Sequence, residues 1–314
     1  MFRPTLLLLV LAALSACQDS QSLPGDRPAP AASAGVPSGS DSPPVRSPSA
    51  TTRPDAEAPA EPLAAALPIP YRLASPDRVV ELGDELREVS GLTVLPGGLL
   101  GVVQDEAGVL YRIDARTGAV RSREAFQARG DFEGVEAVGR DVWILRSNGD
   151  LTRLRPAGSA VDAVTFETAL AARNDAEGLA YDAPGNRLLI ACKENPGNGL
   201  RDVRAVYAFD LATNRLGPTP VFTLDRTLLD AADPFKPSAI AVRPGSGDVY
   251  ILSSVRKALV VLAPDGTVRA VVALPRALYA QPEGIAFTAD GTLYISNEGP
   301  DGPATLLRFD PTDR

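Results

Sequence analysis

Short runs of apolar residues, many alternating with polar ones, recur along the chain from residue 71 onward. Residues 110–114 (LYRID) and 306–310 (LLRFD) alternate, whereas residues 188–191 (LLIA) form a continuous apolar run. Turn-forming sequences such as Pro264-Asp265-Gly266 separate the runs. Runs of this length are typical of β-strands, and no stretch of comparable extent has helical periodicity. The pattern predicts an all-β fold.

Five similar stretches begin successive units of this region. Their third position is occupied by Gly91, Gly134, Gly178, Ala239 and Gly284, at spacings of 43, 44, 61 and 45 residues. A turn and further strand-like runs follow each stretch. A period of about 40–50 residues with four strands per unit is typical of the blades of a β-propeller. We therefore predict a five-bladed β-propeller, with a sixth blade inside the 61-residue interval as the alternative.

The fifth unit ends after three strand-like runs. Residues 77–82 precede the first unit and are themselves strand-like (DRVVEL). A strand from this segment would complete the fifth blade, close the ring and remove an exposed sheet edge. We expect this N-terminal strand to pair with the last strand of the chain.

The N-terminus has the pattern of an export signal. Arg3 precedes an apolar run over residues 6–16, which is shorter than the roughly 20 residues a membrane-spanning helix needs. The run ends in Leu14-Ser15-Ala16 before Cys17 and resembles the lipobox of bacterial lipoproteins. This resemblance implies that residues 1–16 are removed and that Cys17 is lipidated; an ordinary secretory signal is the alternative. Gln18, in place of Asp, implies an outer-membrane lipoprotein facing the periplasm.

The segment of residues 17–70 differs in composition from the rest. After Cys17 it is rich in Pro, Ala and Ser and has no aromatic residue. Such a segment cannot bury enough apolar surface to offset chain entropy, so we expect a disordered linker. The predicted propeller then spans residues 71–314.

Composition excludes several classes of function. The chain has no His, which excludes a Ser-His-Asp triad and a His-ligated zinc site. Its two cysteines, Cys17 and Cys192, are too few for a four-thiolate metal site, and the apolar neighbours of Cys192 indicate a packing role. The net charge of −8 argues against a nucleic-acid partner.

Acidic residues recur at one position of the units. Glu133, Glu177 and Glu283 directly precede the repeated glycine, at the expected start of each first strand. The first strands of a propeller line its central channel, so these carboxylates should meet at one mouth. On the same face we expect the second-strand ends, with Asp105, Glu106, Asn148, Glu194, Asn297 and Glu298. Clustered carboxylates without His or Cys suit Ca²⁺.

We therefore predict that Glu133, Glu177 and Glu283 bind Ca²⁺, with Asp175 and Glu194 as further candidates. The alternative is that the glutamates only bond backbone N–H groups at blade junctions. Glu88 lies two places earlier than its counterparts, and blade four has Ser238 instead. The repeated glycine indicates a crowded channel wall that leaves no room for a Cβ.

Five segments together resemble the SdiA-regulated family of bacterial proteins. They are residues 88–93 (EVSGLT), 131–134 (DFEG), 174–182 (NDAEGLAYD) with 193–196 (KENP), and 281–286 (QPEGIA). The resemblance covers residues 75–312 and implies a five-bladed, calcium-binding propeller distantly related to NHL repeats. It implies no particular reaction, because no molecular activity is established for the family.

Three functions are compatible with these features. The first is a lipid-anchored binding or scaffold module of the cell envelope, with a protein or small-molecule ligand at the propeller face. The second is a metal-dependent hydrolase of a lactone or phosphoester, in which Lys193 or Glu194 would assist proton transfer. The third is an envelope stress or signalling component without a ligand of its own.

Overall fold

The computed structural model describes residues 68–158 and 160–313. The predictions on the signal peptide, the lipidation of Cys17 and most of the 17–70 linker lie outside the described residues. Among those described, no helix is both long enough and apolar enough to cross a membrane.

The described residues form twenty-one strands with a few short helical turns. The strands are β1 (Arg78–Glu81), β2 (Val89–Leu95), β3 (Leu99–Gln104), β4 (Ala107–Asp114), β5 (Val120–Arg129), β6 (Phe132–Val138), β7 (Asp141–Arg146), β8 (Leu151–Ala157), β9 (Ala160–Phe166), β10 (Ala176–Asp182), β11 (Arg187–Cys192), β12 (Val203–Asp210), β13 (Arg215–Leu216), β14 (Phe222–Asp225), β15 (Ala239–Val242), β16 (Val249–Ser253), β17 (Ala258–Leu262), β18 (Val268–Ala273), β19 (Pro282–Phe287), β20 (Leu293–Asn297) and β21 (Thr305–Phe309). The helical turns are two 3-10 helices, Asp84–Leu86 and Ala172–Asn174, and the four-residue helix α1, Arg226–Leu229.

These strands form five antiparallel sheets, which confirms the five-bladed propeller. The blades are β2–β5, β6–β9, β10–β14, β15–β18, and β19–β21 with β1. The first strands β2, β6, β10, β15 and β19 contact one another in turn around a central channel.

The 61-residue interval contains one blade, so the six-blade alternative is wrong. The outer position of the third sheet is divided between β13 and β14, both of which pair with β12. Pro218 and Pro220 lie between these two strands. Because proline has no N–H to donate to a ladder, an uninterrupted outer strand cannot form here.

The N-terminal strand closes the ring as predicted. β1 pairs antiparallel with β21, Arg78 opposite Arg308 and Glu81 opposite Thr305. The preceding segment also packs on the domain, because Tyr71 is buried and its hydroxyl donates to the Gly291 carbonyl at 2.7 Å.

The hydrophobic core is divided among the blade junctions. A cluster of buried apolar residues lies between each pair of neighbouring sheets. Trp143, predicted to be a core residue, is 3% exposed and packs against Phe166 and Phe209. Cys192 is fully buried, as its apolar neighbours indicated.

The channel is nearly closed at its middle. One buried apolar side chain from each first strand lies there, and the space left is only about 10 Å³. We call this set the apolar ring: Leu92, Val135, Leu179, Ile240 and Ile285. The ring separates the two ends of the channel.

Candidate functional site

A backbone irregularity directs the repeated glutamates. The pairing of first and second strands shifts register between Phe132 and Gly134, and equivalent shifts occur in blades three and five. Glu133, Glu177 and Glu283 are the extra residues of these β-bulges. A bulge leaves one residue out of the ladder and can re-aim its side chain. The glutamates thus lie within the first strands, one residue after each begins, and not ahead of the strands as the sequence suggested.

Serines take the glutamate position in the other two blades. Ser90 also occupies a bulge, and its hydroxyl donates to the Phe132 carbonyl at 2.5 Å. Ser238 donates to the Pro282 carbonyl at 2.7 Å. Each serine therefore supports the residue just before a glutamate of the next blade. Blades one and four hold the bulges of blades two and five in place.

The three glutamates meet at one end of the channel, which we call the acidic mouth. All three line the same narrow space as the apolar ring, and Glu177 and Glu283 are 5% and 8% exposed. Burial, followed by the charge of Glu177 and of Asp131, raises the pKa of Glu133 to about 10. The Glu133 and Asp131 carboxyl groups also share a hydrogen bond. An acid here is costly to ionise because few cations face it.

Glu177 has a lysine partner. Lys193, at the end of the second strand, forms an ion pair with the Glu177 carboxylate. Burial by itself would lower the pKa of Lys193, but the nearby Glu177 charge raises it above its ordinary value. Burial and the charge of Glu283 still raise the pKa of Glu177 well above its ordinary value. One lysine does not balance the carboxylates around it.

Glu283 is held by neutral donors. Hydrogen bonds from Ser254 and Gln281 favour its ionised form, but burial outweighs them and raises its pKa. Gln281 also donates to Glu298, whose pKa is raised to about 8 by burial and by the charge of Glu283. These contacts extend the acidic mouth into blade five.

A second set of carboxylates lies next to Glu298. Burial, then the charge of Glu88, raises the pKa of Asp105, and the charges of Asp105 and Glu88 contribute to the raised pKa of Glu298. The Asp105 Oδ1 atom is buried without a hydrogen-bond partner. A buried oxygen of this kind is costly unless a cation or water reaches it. Asp105 and Glu298, expected from the sequence to share a face, do interact, and Glu88 lies close enough to act on both.

The two further candidates lie on the blade-three side of the mouth. Asp175 has a left-handed backbone (φ 52°), and burial raises the pKa of its carboxyl. Glu194 forms an ion pair with Lys236, which joins the loops of blades three and four. Asn148, another residue expected at this face, bonds Asp150 within its own turn at 2.8 Å.

The described carboxylates do not form a complete set of metal ligands by themselves. In residues 68–158 and 160–313, no group of three or more Cys, Asp or Glu side chains is arranged to hold a metal ion. The mouth therefore combines an excess of buried acid with an incomplete ligand set. Backbone carbonyls or water would have to supply the remaining oxygens.

Sequence reasoning missed several contributors to the mouth. Asp131 lies two residues before Glu133 in the 131–134 motif, but nothing there indicated that its carboxyl faces Glu133. Lys236 lies in a long loop with no repeat signal. The only available signal for the bulges was the Glu-Gly pair itself, since glycine at a strand interior often marks a bulge.

Comparisons with known proteins agree with the fold. The glutaminyl cyclase of Myxococcus xanthus superposes with a TM-score of 0.54 at 16% identity, covering 78% of this chain and 98% of that chain. The PQQ-bound aldose sugar dehydrogenase of Streptomyces coelicolor gives 0.48 at 16% identity, covering 75% and 97%. At such identity a likeness shows the fold alone, and the second is too weak to carry an argument.

The sequence itself matches a family. The profile of the SdiA-regulated family covers residues 78–303, which include blades one to four, blade five without β21, and every residue of the acidic mouth. This match agrees with the resemblance carried by the repeated glutamate and serine positions. The chain belongs to the SdiA-regulated family.

Proposed function

We propose that the protein is a lipid-anchored binding module of the bacterial cell envelope whose acidic mouth holds Ca²⁺. One observation supports the metal above all: three blades use the same bulge to direct a glutamate to one mouth, where burial raises the pKa values of all three and neighbouring carboxylates add to the rise for Glu133 and Glu177. A bound cation would remove this cost.

The donor chemistry of the mouth suits calcium. Ca²⁺ takes six to eight oxygen ligands in flexible geometry and accepts carboxylates, carbonyls and water together. Glu133, Glu177 and Glu283 would supply carboxylates, with Asp175 and Glu194 at the blade-three side. The positive charge of bound Ca²⁺ would hold the glutamates of the three blades together, or it would bind an anionic ligand. Lys193 would then have to share Glu177 with the ion.

A binding role is better supported than the hydrolase alternative. The two candidates for proton transfer are both held in ion pairs, Lys193 with Glu177 and Glu194 with Lys236. Each side chain would have to leave its ion-pair partner before it could transfer a proton to or from a substrate. We therefore propose a module that binds a protein or small molecule at the mouth.

Calorimetry and thermal unfolding of the purified, chelator-stripped protein test the metal. Ca²⁺ should bind with measurable heat and raise the melting temperature. The free energy of unfolding should increase by about 2.7 kcal/mol when free Ca²⁺ is 100 times the dissociation constant. Glu177→Gln should reduce both effects, because it removes a charge while keeping the shape. Lower pH should weaken binding, since the ligands must be ionised.

Glu167→Gln is the matched control. Glu167 is exposed in blade two and lines neither end of the channel, so its loss of charge should leave the Ca²⁺ response unchanged. If the stripped protein gives no Ca²⁺ heat and chelator leaves the melting temperature of the untreated protein unaltered, the glutamates are structural caps and the proposal is wrong.

A further inference from the structure

The end of the channel opposite the acidic mouth opens into a cavity of about 550 Å³. We call it the lower cavity. Each first strand contributes at least one apolar or aromatic side chain to it, among them Val94, Ala137, Tyr181, Val242 and Phe287. Small-molecule sites typically enclose about 300–1,000 Å³ with mainly apolar walls and a few placed polar groups. The lower cavity has the size and lining of such a site.

One carboxyl group faces this apolar space. Glu136 occupies the channel position where blades three, four and five have alanines: Ala180, Ala241 and Ala286. Its Oε1 accepts hydrogen bonds from the Thr93 hydroxyl at 3.3 Å and from the Ala137 N–H at 3.1 Å. The backbone N–H of Tyr181 also bonds the carboxylate. In all three contacts the Glu136 carboxyl group accepts a hydrogen bond, and such bonds favour its ionised form.

No cation of the described protein is paired with that charge. Among the described residues that form the cavity wall, Arg243 is the only positively charged side chain. Its guanidinium donates to both Asp313 oxygens, at 3.0 and 2.8 Å, and to the Tyr71 hydroxyl at 3.1 Å. Arg243 is thus already paired, and no neighbouring charge contributes to the electrostatics of Glu136. The cavity presents an oriented carboxyl group that has no counter-ion among the described residues.

We propose that the lower cavity binds a small organic cation, a primary amine with an apolar body, whose ammonium group pairs with the Glu136 carboxylate. The apolar lining argues against a hydrated metal ion, which needs several oxygen ligands. A single carboxylate suits an ammonium, which donates to it directly while the apolar body covers the walls. The apolar ring keeps this site separate from the acidic mouth, so the proposal does not depend on Ca²⁺.

The affinity of the site for an amine should depend on pH. Burial raises the pKa of Glu136 to about 8, although the three donors act against the rise. The other titratable or charged groups of the wall are Tyr181 from β10 and the paired Arg243 from the turn after β15. An alkyl amine stays protonated throughout this range. Binding should therefore strengthen as pH rises through about 8 and the carboxyl ionises.

Calorimetry with two probes of one shape tests the proposal on the purified full-length protein. Cyclohexylmethylamine and cyclohexylmethanol differ only in the charged group. At pH 8.5 the amine should bind at least tenfold more tightly than the alcohol, and at pH 6 the two should bind within threefold of each other. Glu136→Gln should abolish the preference at pH 8.5, and Glu167→Gln should retain it.

A second variant keeps the test independent of Glu136. Ala183 is exposed at the cavity rim, so Ala183→Trp should fold and should weaken amine binding at least tenfold by filling the entrance. Equal binding of the two probes at pH 8.5, or no binding of the amine, would overturn the proposal. So would a preference for the amine that survives Glu136→Gln. If Glu136→Gln does not fold, the Ala183→Trp variant decides. Amine binding that Ala183→Trp leaves unchanged would overturn the proposal.

Discussion

At the scale of single residues, the repeated glycine allows neighbouring blades to approach closely. A methyl group on Gly134 would lie 2.7 Å from the Leu179 Cβ, and one on Gly284 would lie 2.8 Å from the Leu92 Cβ. Each glycine thus faces an apolar-ring residue of the next blade. Blade four has Ala239, and its strand pairing runs without the register shift of the other four. The blade that has no bulge is thus the one that accepts a Cβ at this position.

Gly178→Ala should destabilise the propeller by about 1–3 kcal/mol, the usual cost of overfilling a packed core. Its Cβ would lie 2.8 Å from the Ile240 Cγ2 and 3.0 Å from the Ile240 backbone nitrogen. Backbone cannot move aside as the tip of a flexible side chain can. Urea unfolding of the purified protein measures the loss.

Gly83→Ala is the control for this prediction. A Cβ on Gly83 has nothing within 4 Å, and the residue already has an extended backbone (φ −66°). The change should be neutral or stabilising by up to about 1 kcal/mol, because it restricts the unfolded chain. If Gly178→Ala is as stable as Gly83→Ala, close approach is not the reason for the glycine.

The acidic mouth could be predicted from the sequence only in part. Glu133, Glu177 and Glu283 recur at one place in the repeat, so their convergence follows from propeller geometry. The ion pair of Glu194 with Lys236 could not be predicted, because it joins residues far apart in the chain. The position of the Glu136 carboxyl group could not be predicted either, since it depends on hydrogen bonds from Thr93 and Tyr181 in the two neighbouring blades.

At the scale of elements, the repeat predicted the blades well because each blade follows one local pattern. The outer strands were less regular than the pattern suggested, as the division of one of them into β13 and β14 shows. Among the outer strands, β1 was predicted well, because the last unit had only three strand-like runs and needed a fourth. Counting strands thus located a contact between the two ends of the domain.

Removal of β1 should be far more harmful than removal of what precedes it. A fragment of residues 68–314 should retain the melting temperature of the full chain. A fragment of residues 83–314 should unfold at lower temperature or associate, because it exposes the edge of β21 and loses the buried Tyr71 and Leu73. Scanning calorimetry and light scattering distinguish these results. A monomeric 83–314 fragment of unchanged stability would contradict strand closure.

At the scale of the whole molecule, the channel has two chemically different ends. Carboxylates dominate the acidic mouth, whereas the lower cavity is apolar around one carboxyl. The apolar ring lies between the acidic mouth and the lower cavity, and the space at the ring is only about 10 Å³. Calcium and an organic cation should therefore bind independently, and neither site should need the N-terminal segment outside the described residues.

The proposed membrane anchor also concerns the whole molecule, and we expect it to depend on Cys17 alone. A chain with a net charge of −8 gains no attraction from an anionic membrane surface, so lipid has to supply the affinity. Expressed in bacteria, the parent should incorporate labelled palmitate and stay in the membrane fraction after a salt wash. Cys17→Ala should lose the label and leave the salt-washed membrane. Cys192→Ala removes the chain's other thiol, which is fully buried in blade three, and should keep both label and membrane location. An unlabelled parent would show that residues 1–16 are an ordinary secretory signal, and a Cys17→Ala protein retained as fully as the parent would show that some other feature holds it.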